Sequence, residues 1–403
     1  MNYPTLDQVD IKGKTVLMRA GFDLPLDDGV IVDTSRVEAV LPTMKYILDA
    51  GAALILMAHQ GRPKAKPLPE MSQKSVIPVL EKLLGVEIQF ADSCIGADTK
   101  AKAAALQPGQ VLLLENLRYE AGEKENDPAF AKELADLGDI YVNDAFTNSH
   151  RSHASMIGVP TLIPGYLGLH IANEIEQLSK VTNDPAKPVT LIISGAKMET
   201  KIPVIENFLT VGDNILVGGC IANTCIAAQG FDVGTSLYQQ EWMQKAQDCM
   251  LMSESEDNAT LHVPTDVILA TEPKDHAEKL CLPVKDIMGD MAIYDIGKNT
   301  IDHYKEIIAA SKTIVWNGPM GMHEHNCFSH ATKRIAEAIT DATKNGAVSI
   351  VGGGDTLDFH ERYNYSLDVY THVSTAGGAM LDFISGKTLP GLQVLQEQMV
   401  SRS

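Results

Sequence analysis

Short apolar runs recur along this 403-residue chain, and several are followed at once by a cluster of polar, glycine or arginine residues. Lys14–Met18, Ala53–Met57, Val111–Leu114, Ile140–Val142, Val189–Ile193, Asn214–Val217, Thr313–Val315, Val348–Val351 and Asp368–Val373 each read as a buried strand. Between many of them apolar residues fall three or four apart, as in Val76-Val79-Leu80-Leu83-Leu84 and Ile202-Ile205-Phe208-Leu209. That spacing puts them on one face of a helix. Parallel strands need crossover connections, and helices supply them while covering both faces of the sheet. The pattern therefore predicts an α/β fold with open parallel sheets and ligands beyond the carboxyl ends of the strands.

Single cores rarely grow past roughly 250–300 residues, so two domains are expected. The boundary falls in Gly165–Pro188, whose centre, Leu169-Ile171-Ile175-Leu178, reads as one amphipathic helix ending in the turn Asn183-Asp184-Pro185. Such a helix could serve as a stiff hinge or be an ordinary surface helix.

The formal net charge is −19, which disfavours nonspecific partnership with nucleic acid or a membrane, both polyanions. No run of about 18 apolar residues is present. The opening MNYPTLDQVDIKGKTVLMR lacks a basic-then-apolar leader, so a cytoplasmic protein is expected. The six cysteines include no CxxC pair and are expected to be reduced thiols.

Against this acidic background the eight arginines are placed unevenly. Arg19, Arg36, Arg62, Arg118 and Arg151 lie in the first half, and none occurs between 152 and 333. The glycine clusters Gly218-Gly219, Gly352-Gly353-Gly354 and Gly377-Gly378 lie in the second. Guanidinium forks bind phosphates and carboxylates, and glycine turns let backbone N–H groups close on a polyphosphate. Two anionic ligands held by two domains are implied. In the first half, His59-Gln60-Gly61-Arg62 follows one strand, Glu115-Asn116-Leu117-Arg118 another, and Asn143-Asp144-Ala145-Phe146 a third, leading to His150-Arg151. In the second half, Ser194-Gly195-Ala196-Lys197, with Lys201 four residues on, supplies compact positive charge. Gly353, Gly354, Asp355 and Thr356 follow another strand, and Asp355 is a candidate Mg²⁺ ligand. Ser374–Ala379 opens a helix whose free N–H groups would stabilise phosphate charge. No P-loop and no GxGxxG in strand–turn–helix context is present. The stretch His323–His330 is rich in metal-ligand types but fits neither HExxH nor a paired CxxC pattern.

The segments RAGFDLP, TSRVEAVLPT, HQGRP, LLLENLRYEAGEKEND, YVNDAFTNSHRSHASMIGV, SGAKMETKI, VGGCIANTCIAAQGFDVGTSLY, DIGKNT, WNGPMGMHE, GGGDT and HVSTAGGA, in this order, resemble the phosphoglycerate kinase family over nearly the whole chain. The resemblance implies two doubly wound, Rossmann-like domains facing across a cleft and joined by a hinge helix. Residues 1–170 with 390–403 would bind phosphoglycerate, residues 171–187 would form the hinge helix, and residues 188–389 would bind nucleotide. It implies the reaction ATP + 3-phosphoglycerate ⇌ ADP + 1,3-bisphosphoglycerate in glycolysis and gluconeogenesis, with Mg²⁺ carried on the ATP or ADP and a monomeric enzyme. By the same resemblance Gly21, Phe22, Asp23, Arg36, His59, Gln60, Gly61, Arg62, Arg118 and Arg151 would form the substrate site. Lys201, Asn317, Glu324, Gly353, Gly354, Asp355 and Thr356 would hold the nucleotide, with Asp355 at the metal. Arg36, Lys197, Lys201 and Gly377 would serve the phosphoryl group in transfer.

The chain departs from the family's usual pattern in four places. Gly21 and Asp23 stand where Asp and Asn are usual, His323 where Phe is usual, and Ala376 where a glycine is usual. A carboxylate at Asp23 near an anionic ligand could repel it by a few kcal/mol at ~4 Å. Two further readings therefore stay open: a catalytically weakened nucleotide-binding relative, and a kinase for another small carboxylate or sugar phosphate.

Overall fold

The computed structural model describes residues 3–27 and 30–402; Met1, Asn2, Asp28, Gly29 and Ser403 lie outside the described residues. The chain divides into two compact units: residues 1–176 with 388–403, and residues 177–387.

Unit 1 is built on six parallel strands, β1 (Thr15–Ala20), β4 (Ala53–Met57), β5 (Ile88–Ala91), β6 (Val111–Leu114), β7 (Ile140–Asp144) and β8 (Gly165–Leu167). They lie in the order β5-β6-β4-β1-β7-β8, and a two-stranded ribbon, β2 (Leu26–Asp27) and β3 (Val30–Ile31), stands apart. All five residues of β4 are buried, as expected of a strand covered on both faces by crossover helices. The chain builds outward from β1 through β4, then returns to lay β7 on β1's other side, pairing Val16 with Ile140. The switch point of the sheet therefore falls beside β1, where ligand crevices form in such folds. Residues 390–402 form a helix of this unit, with the Gln398 amide bonded to Gly165 N–H (2.9 Å) and Ile163 C=O (3.0 Å).

Unit 2 repeats the plan. Strands β9 (Val189–Ile193), β10 (Asn214–Val217), β11 (Thr260–His262), β15 (Thr313–Asn317), β16 (Val348–Gly352) and β17 (His372–Ser374) form a parallel sheet ordered β11-β10-β9-β15-β16-β17. Its switch point lies between β9 and β15. A second sheet, antiparallel, joins β12 (Asp266–Ala270), β13 (Leu280–Pro283) and β14 (Ala292–Ile296). Its apolar residues Val267 and Leu269 form a small separate core with Ile226, Val233 and Ile287.

The structure adds β2, β3, β5, β8 and β11 to the expected strands and differs from the sequence expectation at three further places. The antiparallel sheet was not expected; its edge strand β13 is largely exposed. Asp368–Val373 shortens to His372–Ser374, because Asp368 sits in a turn closed by its N–H on Ser366 Oγ (3.2 Å). The helix expected over 171–187 runs over Leu169–Thr182 instead. Its first turn is fixed by Thr43 Oγ1 accepting from Leu169 N–H and Asp144 accepting from Ile171 N–H, both 2.9 Å. Beyond it, Asp184 takes a left-handed conformation ahead of Pro185, which a helix cannot continue through. Among the described residues no helix is long and apolar enough to cross a membrane.

Candidate active site

In unit 1 the ends of β1, β4 and β6 bring basic side chains together. Arg118 follows β6 and is buried; it donates to Gly61 C=O at 2.7 Å, and its Nε has no partner among the described residues. Burial first, then the charge of Arg19 and further down that of Arg151, holds Arg118 at about 10. Arg151 is half-buried, and its Nε also lacks a hydrogen-bond partner among the described residues. Guanidinium groups that outnumber the neighbouring carboxylates, Asp23 and Glu123, form a site for an oxyanion.

His59 follows β4 and is 2% exposed. Burial, reinforced by the charges of Arg19 and Arg118 and opposed by Asp23, lowers its pKa to about 4. The imidazole is therefore neutral at pH 7. Asp23 follows β1, and its carboxylate accepts from Gly61 N–H at 2.8 Å and faces His59 Nε2 at 3.6 Å. Burial raises its pKa, but His59, the Gly61 amide and Arg36 outweigh this and hold the carboxyl well below the usual carboxylate range. Arg36, second residue of the helix Ser35–Asp49, donates to the Asp23 C=O. The negative charge that this chain places at Asp23 is thus already met by the Gly61 amide, with the Arg36 guanidinium held beside it on the Asp23 backbone.

The remaining unit 1 candidates divide. Gly61 has φ +61°, and a Cβ there would fall 2.8 Å from Met71 Sδ, so the turn needs glycine. Gly21 lies close to Thr147, whose Oγ1 would sit 3.3 Å from a Cβ added at that position. Phe22 is fully buried in the core, so only its backbone is available to a ligand. Gln60 spends both ends of its amide on Leu24, accepting from its N–H (3.0 Å) and donating to its C=O (2.5 Å). Arg62 is exposed, with no ion pair or hydrogen bond among the described residues. A residue that sequence reasoning passed over, Asn116, fixes the two loops to each other. Its side chain donates to Gln60 C=O and Met71 C=O, both 2.8 Å, and accepts from Arg118 N–H at 3.0 Å.

In unit 2 a cavity of 310 Å³ opens at the carboxyl ends of β9, β15 and β16. Lys197 caps the helix Met198–Val211, and Lys201, one turn on, lies on the same side; both line the cavity. Two further helices begin at its wall, Gly354–Arg362 and Gly377–Ile384. Their first N–H groups have no partners within the helix and carry its positive dipole end. Gly353 has φ +105°, and a Cβ there would lie 2.7 Å from Asn317 Nδ2. A Cβ at Gly377 would lie 3.2 Å from Gly353 Cα, so the two loops touch through glycine. Ala376, at φ −110°, needs no glycine.

Lys201 donates to Asn317 Oδ1, and Asn317 Nδ2 donates to Gly352 C=O at 2.8 Å. Burial, partly offset by Asp355, lowers Lys201 to about 8. Thr356 is buried, and its hydroxyl accepts from Gly318 N–H at 2.8 Å and donates to Gly352 C=O at 3.1 Å. Asn317 and Thr356 therefore shape the cradle rather than offer free side chains to it. Asp355 is exposed and borders both this cavity and an adjoining one of 480 Å³. The larger chamber is walled by Leu237, Val267, Ile293, Tyr294 and Met322, with Glu324 at its edge. His323 beside it bonds Asp358 through Nε2 at 2.8 Å and faces Glu324 with Nδ1 at 3.5 Å. An apolar chamber leading into an N–H-lined cradle fits a base and sugar followed by a polyphosphate. A third cavity of 390 Å³ lies in unit 1 beside Pro390–Glu397 and contains none of these residues.

Comparison with known proteins places this architecture. The sequence profile described as phosphoglycerate kinase matches residues 6–387. A phosphoglycerate kinase of Chloroflexus aurantiacus is 42% identical over 400 residues, covering 98% of this chain and all of that one. One from Finegoldia magna is 41% identical, covering 99% of this chain and all of that protein. The solved phosphoglycerate kinase of Coxiella burnetii superposes with a TM-score of 0.90 at 36% identity, over 98% of this chain and 100% of that one. That of Pyrococcus horikoshii gives 0.83 at 31% identity, over 98% and 99%. With strand order, strand-end arginines, glycine cradle and full-length similarity in agreement, the chain belongs to the phosphoglycerate kinase family.

Proposed function

We propose that this protein transfers a phosphoryl group reversibly between ATP and the carboxylate of 3-phosphoglycerate, giving ADP and 1,3-bisphosphoglycerate, as a step of glycolysis and gluconeogenesis. The observation that carries this reading is the division of labour between two anion sites. One is a set of incompletely paired guanidinium groups in unit 1. The other is a lysine- and N–H-lined cradle beside an apolar chamber in unit 2.

The chemistry asks little more. A carboxylate acceptor is already ionised at neutral pH, so no catalytic base is needed. What remains is alignment and neutralisation of the transferring group's oxygens. On this reading Arg118, Arg151, Arg62 and neutral His59 hold phosphoglycerate, Gly21 and Asp23 border it, and Arg36 meets the transferring group. Lys197, Lys201 and the Gly377 N–H receive the same group from the nucleotide side, while Gly353 and Gly354 pass their N–H groups to its phosphates. Asp355 would hold Mg²⁺, which supplies charge neutralisation to the phosphate oxygens. A carboxylate cannot serve a phosphate, so Glu324 is assigned to the hydroxyls of the sugar. Residues 1–170 with 390–403 are the phosphoglycerate-binding part, 188–389 the nucleotide-binding part, and 171–187 the hinge. The protein is expected to work as a cytoplasmic monomer.

A coupled assay with pure protein, Mg-ATP and 3-phosphoglycerate tests the proposal, and saturable turnover is expected. No turnover, with calorimetry detecting ADP but not 3-phosphoglycerate, would instead identify a nucleotide-binding relative. The hydrogen bond from Gly61 N–H to the Asp23 carboxylate argues against that reading.

A further inference from the structure

Arg19 is the one arginine of the first half that no ligand can reach: it is the last residue but one of β1 and is 0% exposed. Each of its three nitrogens has an acceptor. Nε donates to Ser155 Oγ at 3.0 Å, one terminal nitrogen to Ala20 C=O, and the other to His59 Nδ1 at 2.9 Å. A guanidinium can only donate, so Nδ1 must accept. A neutral imidazole that accepts at Nδ1 carries its proton on Nε2, the nitrogen facing Asp23 at 3.6 Å. That distance is too long for a good hydrogen bond, so the donor remains open to a better acceptor.

Behind Arg19 the directions continue. Ser155 accepts from Arg19 and must therefore turn its hydroxyl proton elsewhere; it donates to Glu123 Oε1 at 2.7 Å, while Ser155 N–H donates to Oε2 at 2.9 Å. Glu123 is 0% exposed and is also approached by His153 Nδ1 at 3.5 Å. Tyr141 closes the assembly by donating to Ser155 C=O at 2.8 Å. Each hydrogen bond from Glu123 through Ser155 and Arg19 to His59 thus has one direction.

We infer that Arg19 is a positioning residue, held by Ser155 and Glu123, that locks His59 as a neutral Nε2–H donor for an oxygen of the phosphoglycerate. The inference rests on the functional reading above. The groups facing His59 are Arg19 from β1, Asp23 from the loop after it, and Arg118 from the turn after β6, with Glu123 and His153 behind Arg19. The two guanidinium charges and burial keep the ring neutral, with a pKa of about 4. An unlocked histidine would titrate nearer its ordinary value and could present either nitrogen.

The test is ¹⁵N spectroscopy of the imidazole on the whole protein, with His59→Gln identifying the signal, together with KM values for both substrates. In the wild type at pH 7, His59 should be a single neutral tautomer protonated on Nε2. The KM for 3-phosphoglycerate should show no histidine step between about pH 6 and 7.5. In Arg19→Met both tautomers should appear, the ring should titrate higher, and KM for 3-phosphoglycerate should rise about tenfold and gain that step. KM for ATP should stay within about twofold. If Arg19→Met does not fold, Ser155→Ala, which keeps the Arg19 charge, should give a smaller change of the same kind. A wild-type ring protonated on Nδ1 or on both nitrogens at pH 7 would overturn the inference, as would variants that raise both KM values together. The spectrum does not depend on turnover. An Nε2–H tautomer in a protein inactive toward 3-phosphoglycerate would therefore remove the functional reading and the ligand assigned here, while the Arg19 lock itself would stand.

Discussion

Lys201 should take up a proton when nucleotide binds. Its ammonium is half-buried against Asn317, and desolvation, only partly countered by Asp355, brings its pKa from 10.5 to about 8. A fall of that size corresponds to about 3 kcal/mol against the charged form. Without nucleotide, Lys201 is therefore about one-tenth neutral at pH 7, half neutral at pH 8 and nine-tenths neutral at pH 9. Phosphate charge at ~4 Å from the ammonium, at an effective dielectric near 20, favours the charged form by about 4 kcal/mol. This is enough to restore an ordinary lysine. The sign follows: the pKa is higher in the complex than in the free protein, so binding takes up protons. Affinity is fullest below pH 8 and falls toward tenfold per pH unit above it. Calorimetric titration of ADP in pairs of buffers with different ionisation enthalpies should give an uptake of about half a proton at pH 8 and nearly one at pH 9. Lys201→Met should abolish the uptake. Near-zero uptake at both pH values, or the same uptake in the variant, would refute the account of Lys201 as a lysine discharged by burial and recharged by phosphate.

Two further outcomes can be measured. Glu123→Gln removes the negative charge nearest the buried Arg19 and should destabilise unit 1 by about 2–4 kcal/mol, less than breaking a direct buried pair because Ser155 intervenes. Scanning calorimetry should then show a melting temperature lower by roughly 5–10 °C, and a shift below about 2 °C would mean that Arg19 needs no counter-charge. Gly353→Ala puts a Cβ at φ +105° against the Asn317 amide, with a strain of about 1–3 kcal/mol. ADP affinity should fall about tenfold or more while 3-phosphoglycerate affinity stays unchanged. Equal loss of both would place the damage outside the cradle.

The architecture was legible where one residue pattern had one physical meaning. Runs such as Ala53–Met57 and Val189–Ile193 can be buried on both faces only in covered sheets, and the polar clusters after them fall at the strand ends that the sheets bring together. The antiparallel sheet was not legible, since Leu280–Pro283 shows no period and pairs only because β12 offers it an edge. Within the sites, residue types were informative about charge and silent about commitment. Nothing local indicates that Gln60 is consumed by Leu24, or that Asn317 is shared between Lys201 and Gly352. The same holds for Asp23, where a feared repulsion is met by the Gly61 amide 38 residues away. The family resemblance supplied the candidates, and tertiary geometry separated those that face a ligand from those that hold them in place.

The discontinuity of unit 1 has a consequence for biosynthesis. Its sheet strands are all translated before residue 177, yet the helix 390–402, clasped by Gln398 and tied at Gly391 to the Asn143 side chain (3.2 Å), emerges only after all of unit 2. Up to residue 387 the chain holds every strand of unit 2, while unit 1 still lacks a piece. The nascent amino-terminal lobe must therefore wait, with the groove for that helix unfilled, until more than two hundred intervening residues have been made. A released chain truncated before residue 390 should be open to proteolysis around Gly165 and closed to it within the nucleotide cradle.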